Sequence, residues 1–596
     1  FVHRTTDGGQ SWTVISPDLT TNDTSKLGPS GGLSSDNLGV EYFSTLFAIA
    51  ESPLQKGVIW TGSNDGLVHV TRDGGATWTD VTKNIGGLPK WGTISNIEPS
   101  RFDAGTAYIS VDFHQMNNFD PFIYRTSDFG KTWKLLSGGI PKSTFSYVHV
   151  VREDSKRKGI LYAGTENGIY LTYDDGQHWY PLQANLPHAP VTWMAIQDHF
   201  DDLVVSTSGR GVWILDDLGP LRELNDAIAS AKSHLFALRP AYRFMTVNRI
   251  KTAPNDQSDG RNPRYGADIN YLLAKALSDT SKEQAGGGAK RLHSDSLGTD
   301  TGSFVFHAPS DSAIADTVDS ARAVRDSARI TITNAAGRVV RTFYGPGAKG
   351  INRAYWDLRY DRTKRVELRT TPPGYPHIWE DKRFIGDHTR PVYHYGIAEP
   401  SLGPLAPPGS YTVTVVLRGD TLHQPLTVLK DPHSAGSDAD AQAGAALAIA
   451  VHDDIDTVAT AINRLERVRM QIEDLHDLYG ADTTKRALLE RAKALDGKLS
   501  AVEDQFLQRK LQEDDQKTYR APMELYTRLL YLEGIVGSGA GDIAGNPDFP
   551  PTTQDIAVHD LLRQRLQRAL QALQEVMSVD VSGFAKETGV GLVVGS

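Results

Sequence analysis

Residues 4–12 read "RTTDGGQSW", and the run returns as "VTRDGGATW" at 70–78, "RTSDFGKTW" at 125–133 and "LTYDDGQHW" at 171–179. Each copy carries Thr, then Asp two residues on, Gly four on and Trp seven on: Thr5/Asp7/Gly9/Trp12, Thr71/Asp73/Gly75/Trp78, Thr126/Asp128/Gly130/Trp133 and Thr172/Asp174/Gly176/Trp179. One spacing held four times marks a repeated structural unit. A short carboxylate that accepts nearby backbone N–H groups, with a glycine supplying positive φ, is the chemistry of a hairpin turn. The Trp then re-enters a strand with a large ring to bury against the neighbouring sheet. These sixteen residues are therefore assigned to architecture.

Successive box tryptophans lie 66, 55 and 46 residues apart, a period suited to one four-stranded propeller blade per copy. "VIWTGSNDGLVHVT" and "ILYAGTENGIYLT" each place a strand before the box strand, joined through Asn64-Asp65-Gly66 and Glu166-Asn167-Gly168. Asp-Gly and Asn-Gly pairs favour tight hairpins. The third unit has a longer join, "DFHQMNNFDP", and the last, "LVVSTSGRGVWILDD" at 203–217, keeps the hairpin without the box.

These runs resemble the Asp-box, or BNR-repeat, propellers shared by sialidases, some glycoside hydrolases and the sortilin/Vps10 domains. "TGSNDGLVHVTRDGGATW", "VREDSKRKGILYAGTENGIY" and "STSGRGVWILDDLGPLREL" are similar to the large bacterial BNR-repeat, sortilin-like secreted proteins. The resemblance implies boxes on the outer rim, away from binding sites, and an extracellular or periplasmic location; no signal-peptide pattern is present in this chain. If a box joins the third and fourth strands of a blade, Phe1 begins in a third strand, and an open blade exposes an unpaired edge. The expectation is that a missing N-terminal portion, in cis or in trans, completes the ring.

Composition sets the outer limits. At roughly 150 residues per domain, 596 residues predict two to four domains. The net charge of -10 argues against nucleic acid as a partner, which would need a concentrated basic face. No run of about 18 apolar residues predicts a membrane span. With no cysteine, disulfides, thiolate metal sites and a cysteine nucleophile are all excluded.

Beyond Asp217 the pattern changes. Residues 219–262 read as a linker with one short amphipathic helix, "PLRELNDAIASAKSHLFAL". Alternating runs between 263 and 432, such as "ARITITNAAGRVVRTF" and "GSYTVTVVLRGDTLHQPLTVL", predict an Ig-like antiparallel β-sandwich. It carries insertions at 278–328, rich in Ser, Asp, Ala and Gly with a short helix near "AIADTVDSARAVRD", and at 371–396, dense in aromatics and histidine. From 433 to 596, three-four apolar periodicity, as in Ile455, Val458, Ile462 and Leu465, predicts an antiparallel α-helical bundle. The expected fold is thus multidomain and mainly β: an Asp-box β-propeller at 1–218, incomplete at the N-terminus, then linker, sandwich and bundle.

If the boxes occupy one face of the propeller, the hairpins between second and third strands and the junctions between blades occupy the other. That places Asp65, Asp112, His114, Asp120, Glu166 and Arg210 near one rim, with Lys90, Trp91, His188 and Trp193 on the junctions. A glycoside hydrolase would need two carboxylates about 5 to 10 Å apart there, for which Asp65, Asp112, Asp120 and Glu166 are candidates; loop acids also cap turns on any propeller. Asp112, His114 and Asp120 could hold a divalent cation, although their spacing is irregular. His377, His388 and His394, with Glu380, Asp381 or Asp387, suit packing or interface contacts better than a metal site. Arg210, between two glycines, reads as a turn residue. No phosphate loop or "GxSxG" elbow occurs.

The reading is a non-catalytic binding or scaffold protein that recognises a peptide, protein or glycan at the propeller mouth, without cofactor, catalytic residue or metal. The alternatives are a BNR-type glycoside hydrolase and a structural subunit of a larger oligomer or assembly.

Overall fold

A computed structural model describes residues 1–28, 43–244, 264–277, 306–307, 327–373, 389–390, 392, 403–510, 521–536 and 548–594. Most of the expected insertion at 278–328, including its short helix, and most of that at 371–396, including His377, Glu380, Asp381, Asp387, His388 and His394, lie outside the described residues. The chain is mainly β, with many small antiparallel sheets and a C-terminal helical region. It divides into two compact units: Phe1–Ala237, Asn270–Asp326 and Pro346–Arg353 make the first, and Leu238–Ile269, Ser327–Gly345 and Ala354–Ser596 the second.

The first unit opens with a hairpin of β1 (His3–Arg4) and β2 (Thr13–Val14). Three four-stranded antiparallel sheets come next, each in sequence order. They comprise β3 (Leu46–Glu51), β4 (Ile59–Ser63), β5 (Val68–Thr71) and β6 (Thr79–Asp80); β7 (Thr93–Pro99), β8 (Ala107–Asp112), β9 (Phe122–Thr126) and β10 (Lys134–Leu135); and β11 (Val148–Glu153), β12 (Leu161–Thr165), β13 (Gly168–Thr172) and β14 (Tyr180–Pro181). A three-stranded sheet of β15 (Val191–Gln197), β16 (Asp202–Thr207) and β17 (Val212–Leu215) completes the series. First strands neighbour one another in turn, β3 beside β7, β7 beside β11 and β11 beside β15.

Burial explains the strand sequences. Central strands such as β12, "LYAGT", are buried throughout and read as nearly continuous small and apolar residues, whereas β6 and β10 are two exposed residues each. Such short outer strands limit the unpaired edge. Apolar layers between consecutive sheets, with Trp60, Ile94 and Ile109 in one, Tyr108, Val148 and Leu161 in the next, and Tyr162, Val191 and Met194 in the third, form the core.

All four boxes fold alike. In the second, the Thr71 hydroxyl donates to Asp73 Oδ1 (2.7 Å) and accepts from the Gly75 N–H (3.0 Å), while Asp73 accepts from the Thr77 N–H (2.9 Å) and hydroxyl (2.6 Å). Residues Ser11, Thr132 and His178 take the place of Thr77 in the other copies. Gly9, Gly75, Gly130 and Gly176 all have φ between 83° and 99°, which no residue with a Cβ adopts cheaply. The expectation of a buried ring holds unevenly. Trp179 is 3% exposed and its indole N–H donates to the Leu136 carbonyl of the preceding sheet (2.7 Å), whereas Trp12 is 60% exposed. Trp78 reaches back in the same way to the Ile15 carbonyl (2.8 Å), and Trp133 packs edge-on against Trp60.

After β17 the first unit adds two short helices, Gly219–Glu223 and Asp226–Ala229, and the strand Ser233–Leu235. Buried Asn270 fastens the end of β17, donating to Asp217 (2.8 Å) and accepting from Arg353 (2.8 Å).

In the second unit a five-stranded sheet runs in the order Ala241–Arg243, Asp420–Lys430, Gly409–Leu417, Ala328–Asn334, Val339–Gly345. Its edge pairing between Ala241–Arg243 and Val428–Lys430 is parallel and the rest antiparallel. The helices are Asp438–Tyr479, Arg486–Glu503, Leu525–Val536 and Thr553–Glu575, the last continuing through a π-turn at Val576–Val581 into Ser582–Thr588. Capping boxes start the first and fourth, Ser437 with Asp440 and Thr552 with Asp555, satisfying backbone donors that have no partner within the helix. Ile455, Val458, Ile462, Leu499, Leu529 and Leu566 share one core. No helix among the described residues is long and apolar enough to cross a membrane.

Candidate functional site

The box turns close the third strand onto the fourth, so the hairpins between second and third strands lie at the opposite end of each sheet. At that end the structure joins Asp112, His114 and Glu166 into one cluster and adds two residues that sequence reasoning missed, Tyr147 and His149. Asp112 Oδ1 accepts from the His114 backbone N–H (3.0 Å) and lies 2.6 Å from His114 Nδ1. The other carboxylate oxygen is 3.9 Å from His149 Nδ1, and His149 Nε2 is 2.8 Å from Glu166 Oε2. A single imidazole therefore stands between two carboxylates. Tyr147 packs beneath them: its ring stacks on His114 at 4.7 Å, meets the edge of His149 at 5.1 Å, and lies 6.0 Å from Phe119. Burial, reinforced by a hydrogen bond to Glu166, pushes the Tyr147 hydroxyl far above the usual phenol range.

A β-bulge aims His149. Each first strand carries a register shift within its first two or three residues, at Leu46/Ala48, Ile94/Asn96, Val148/Val150 and Val191/Trp193. The extra residue leaves the ladder and its side chain is re-aimed. In the third and fifth sheets that residue carries a hydroxyl bonded to the strand opposite, Ser95 to Ser110 (2.9 Å) and Thr192 to Ser206 (3.0 Å), with Ser95 also reaching the Val148 carbonyl of the next sheet (3.2 Å). In the fourth it is His149, and the residue paired with Val150 is Gly164, where a Cβ would lie 2.6 Å from Val191 and 2.8 Å from Val150. With no side chain opposite, the imidazole reaches Glu166 instead.

The other candidate residues go elsewhere. Asp65 is buried and accepts from the Thr21 N–H (2.8 Å) and hydroxyl (2.7 Å), tying one sheet to the chain leaving the previous one. Trp91 adopts φ 68° and carries Lys26 and Lys90 over its ring at 5.1 and 4.7 Å. Asp120 pairs with Lys142 (2.6 Å) rather than with Asp112 and His114, so the three do not form a ligand set. Among the described residues no three His, Asp or Glu side chains converge as a metal ion would need. His188 is exposed, with Nδ1 3.2 Å from the Asn167 carbonyl. Arg210 lies between two glycines of positive φ, and its carbonyl accepts from the Trp213 indole (2.9 Å).

Trp193 meets a different set of side chains. The bulge before it turns its ring into a cleft of about 150 Å³ among the first strands, lined also by Glu98, Arg101, Arg152 and Glu153. Arg152 lies over the Trp193 ring at 4.2 Å and pairs with Glu98 at 2.9 Å. Burial raises the carboxyls of both Glu98, against the pull of Arg152, and Glu153, against hydrogen bonds from Ser100, the Arg101 backbone and Tyr108. The spacing of Glu98 and Glu153 in sequence holds no trace of this meeting, which adjacency of β7 and β11 creates.

No protein-family model matches the chain, and no curated protein does. Among solved structures it is similar to YCF48 bound to D1 peptide (17% identity, TM-score 0.23, covering 29% of this chain and 51% of that one). Two others are YCF48 from Cyanidioschyzon merolae (19%, 0.22, 28% and 52%) and the GH74 xyloglucanase from Xanthomonas campestris (11%, 0.26, 72% and 65%). The match spans about half the length of the two YCF48 chains. Likeness at this level carries no weight for function, which rests on the side chains themselves.

Proposed function

We propose that the first unit is part of an Asp-box β-propeller and acts as a non-catalytic binding module in an extracellular or periplasmic protein, with the sandwich-like sheet and helices of the second unit as scaffold. The ligand is a peptide, protein or glycan segment whose N–H or O–H donors meet Asp112 and Glu166 while its body rests on His114, which Tyr147 supports from below. One observation carries this reading: both carboxylates are held by imidazoles, Glu166 by His149 and Asp112 by His114. That arrangement orients acceptors for a bound donor. Acid–base hydrolysis would instead need two carboxyls turned toward one bond, and neither imidazole holds a hydroxyl nucleophile among the described residues.

The test is binding of the full chain to peptide and glycan arrays, followed by calorimetry on the strongest hit with Glu166→Gln and His149→Ala. Each variant is expected to bind at least tenfold more weakly, a loss of about 1.4 kcal/mol, with the hit recovered intact. Unchanged affinity in both variants overturns the proposal.

A second reading, a glycoside hydrolase, draws on the raised carboxyls of Glu98 and Glu153 beside Trp193. Oligosaccharide turnover abolished by Glu98→Gln would establish it in place of the first.

A further inference from the structure

A separate cavity lies within the second unit, where residues 364–371 run along the helix Asp438–Tyr479. Backbone donors of that segment meet side chains along one face of the helix: Lys364 N–H to Asp456 (2.6 Å), Glu367 N–H to Asn463 (2.7 Å), Thr370 N–H to Glu466 (2.7 Å) and Thr371 N–H to Glu473 (3.1 Å). Where the segment begins, a cavity of about 320 Å³ has Lys364, Asp456, Thr460 and Arg464 as polar lining, and Leu570 and Leu573 of the helix Thr553–Glu575 as apolar lining. That volume is at the small end of the range for small-molecule sites, roughly 300 to 1,000 Å³.

Its cations are under-matched. Arg464 Nε is buried without a hydrogen-bond partner, and the guanidinium forms no ion pair among the described residues. A guanidinium has five donors and no acceptor, so a buried N–H on it without a partner is costly. Among the described residues the Lys364 ammonium reaches the Thr460 hydroxyl alone (3.1 Å), which itself donates to the Asp456 carbonyl (2.8 Å). Asp456 is the single carboxylate of the lining among the described residues, and it already accepts from the Lys364 backbone N–H. Two positive charges therefore face one negative charge across a space with an apolar side.

We propose that this cavity is a binding site for a small organic monocarboxylate, with its carboxylate between Arg464 and Lys364 and its hydrocarbon body on Leu570 and Leu573. Arg464 supplies a fork matched to two carboxylate oxygens, and Lys364 a point charge. A doubly charged inorganic anion would leave the leucines uncovered, and a neutral alcohol would leave Arg464 without a counter-ion.

The experiment is calorimetric titration of the full chain with hexanoate, 1-hexanol and inorganic phosphate, on wild type, Arg464→Gln and Lys364→Met. Hexanoate is expected to bind one site, at least tenfold more tightly than hexanol or phosphate. Arg464→Gln should weaken it at least tenfold, and Lys364→Met, at an exposed position, at least threefold. Circular dichroism of both variants separates loss of the site from loss of the fold. Absence of hexanoate binding, equal binding of hexanol or phosphate, or hexanoate affinity unchanged in folded Arg464→Gln or in Lys364→Met overturns the proposal.

Discussion

The two ends of the same sheets are built on opposite plans. At the box end one set of bonds recurs four times, Thr hydroxyl to Asp carboxylate to the backbone ahead, with distances agreeing within a few tenths of an ångström. At the other end every hairpin differs: Asp65 clamps Thr21, Asp112 holds His114, Glu166 holds His149, and Arg210 sits in a glycine turn. What recurs closes the third strand onto the fourth with every bond of the turn satisfied. What diverges depends on partners that differ from hairpin to hairpin.

The strongest challenge to this contrast is to ask whether the boxes contribute equally to stability. Trp179→Ala removes a ring that is 3% exposed and bonded to the preceding sheet, and should cost about 3 to 5 kcal/mol. Trp12→Ala, at 60% exposed, should stay within about 0.5 kcal/mol. Urea unfolding monitored by circular dichroism measures both, and equal losses would show that the box sequence, rather than burial, sets the contribution.

A smaller effect is expected from the hydroxyl at the root of a turn. Thr172 is fully buried, accepts from the Gly176 N–H (3.1 Å) and donates to Asp174 (2.8 Å). Thr172→Val keeps the shape and leaves the Gly176 donor unsatisfied, so it should cost about 1 to 3 kcal/mol, read from the same unfolding curves.

The smallest effect is one of pH. Hydrogen bonds from the Thr77 side chain and backbone, then from Thr71, hold the Asp73 carboxyl at about 2, below its ordinary 3.8. A carboxyl depressed in the folded state adds stability above its unfolded value and loses it as pH falls through the folded one. The gap in urea midpoint between wild type and Asp73→Asn should therefore be constant above pH 4 and shrink toward pH 2. A gap that stays constant to pH 2 would mean that the turn does not select the carboxylate.

Much of the box end was legible because its chemistry is local. The Thr, Asp and Gly of a box find their partners within six residues, so a fixed spacing in the sequence is also a fixed geometry in space, while Trp78 and Trp179 reach beyond the box to the preceding sheet. The residue six places after the Thr, Ser11, Thr77, Thr132 or His178, belongs to the same pattern, and its side chain completes the carboxylate's bonds; its changing identity hides it from a motif read by residue type. At the other end hairpin order alone placed Asp112, His114 and Glu166 on one rim, and the structure brings them together. It did not find His149, the extra residue of one bulge, or the neighbours of Trp193, which follows another, because a bulge shifts the strand by one residue and a shift of one exchanges the two faces. Asp65 looked like a free rim acid because its partner, Thr21, is 44 residues away.

The turns, the strands they join and the amphipathic helices are thus written in the chain itself, since each depends on residues within a few positions of one another. Which side chains share a site is settled by tertiary structure alone. His149 between Asp112 and Glu166, Glu98 near Glu153, and Arg464 opposite Lys364 are meetings between distant segments, set by strand register and by packing of helices, whose energies are summed over the whole core rather than written at any one residue.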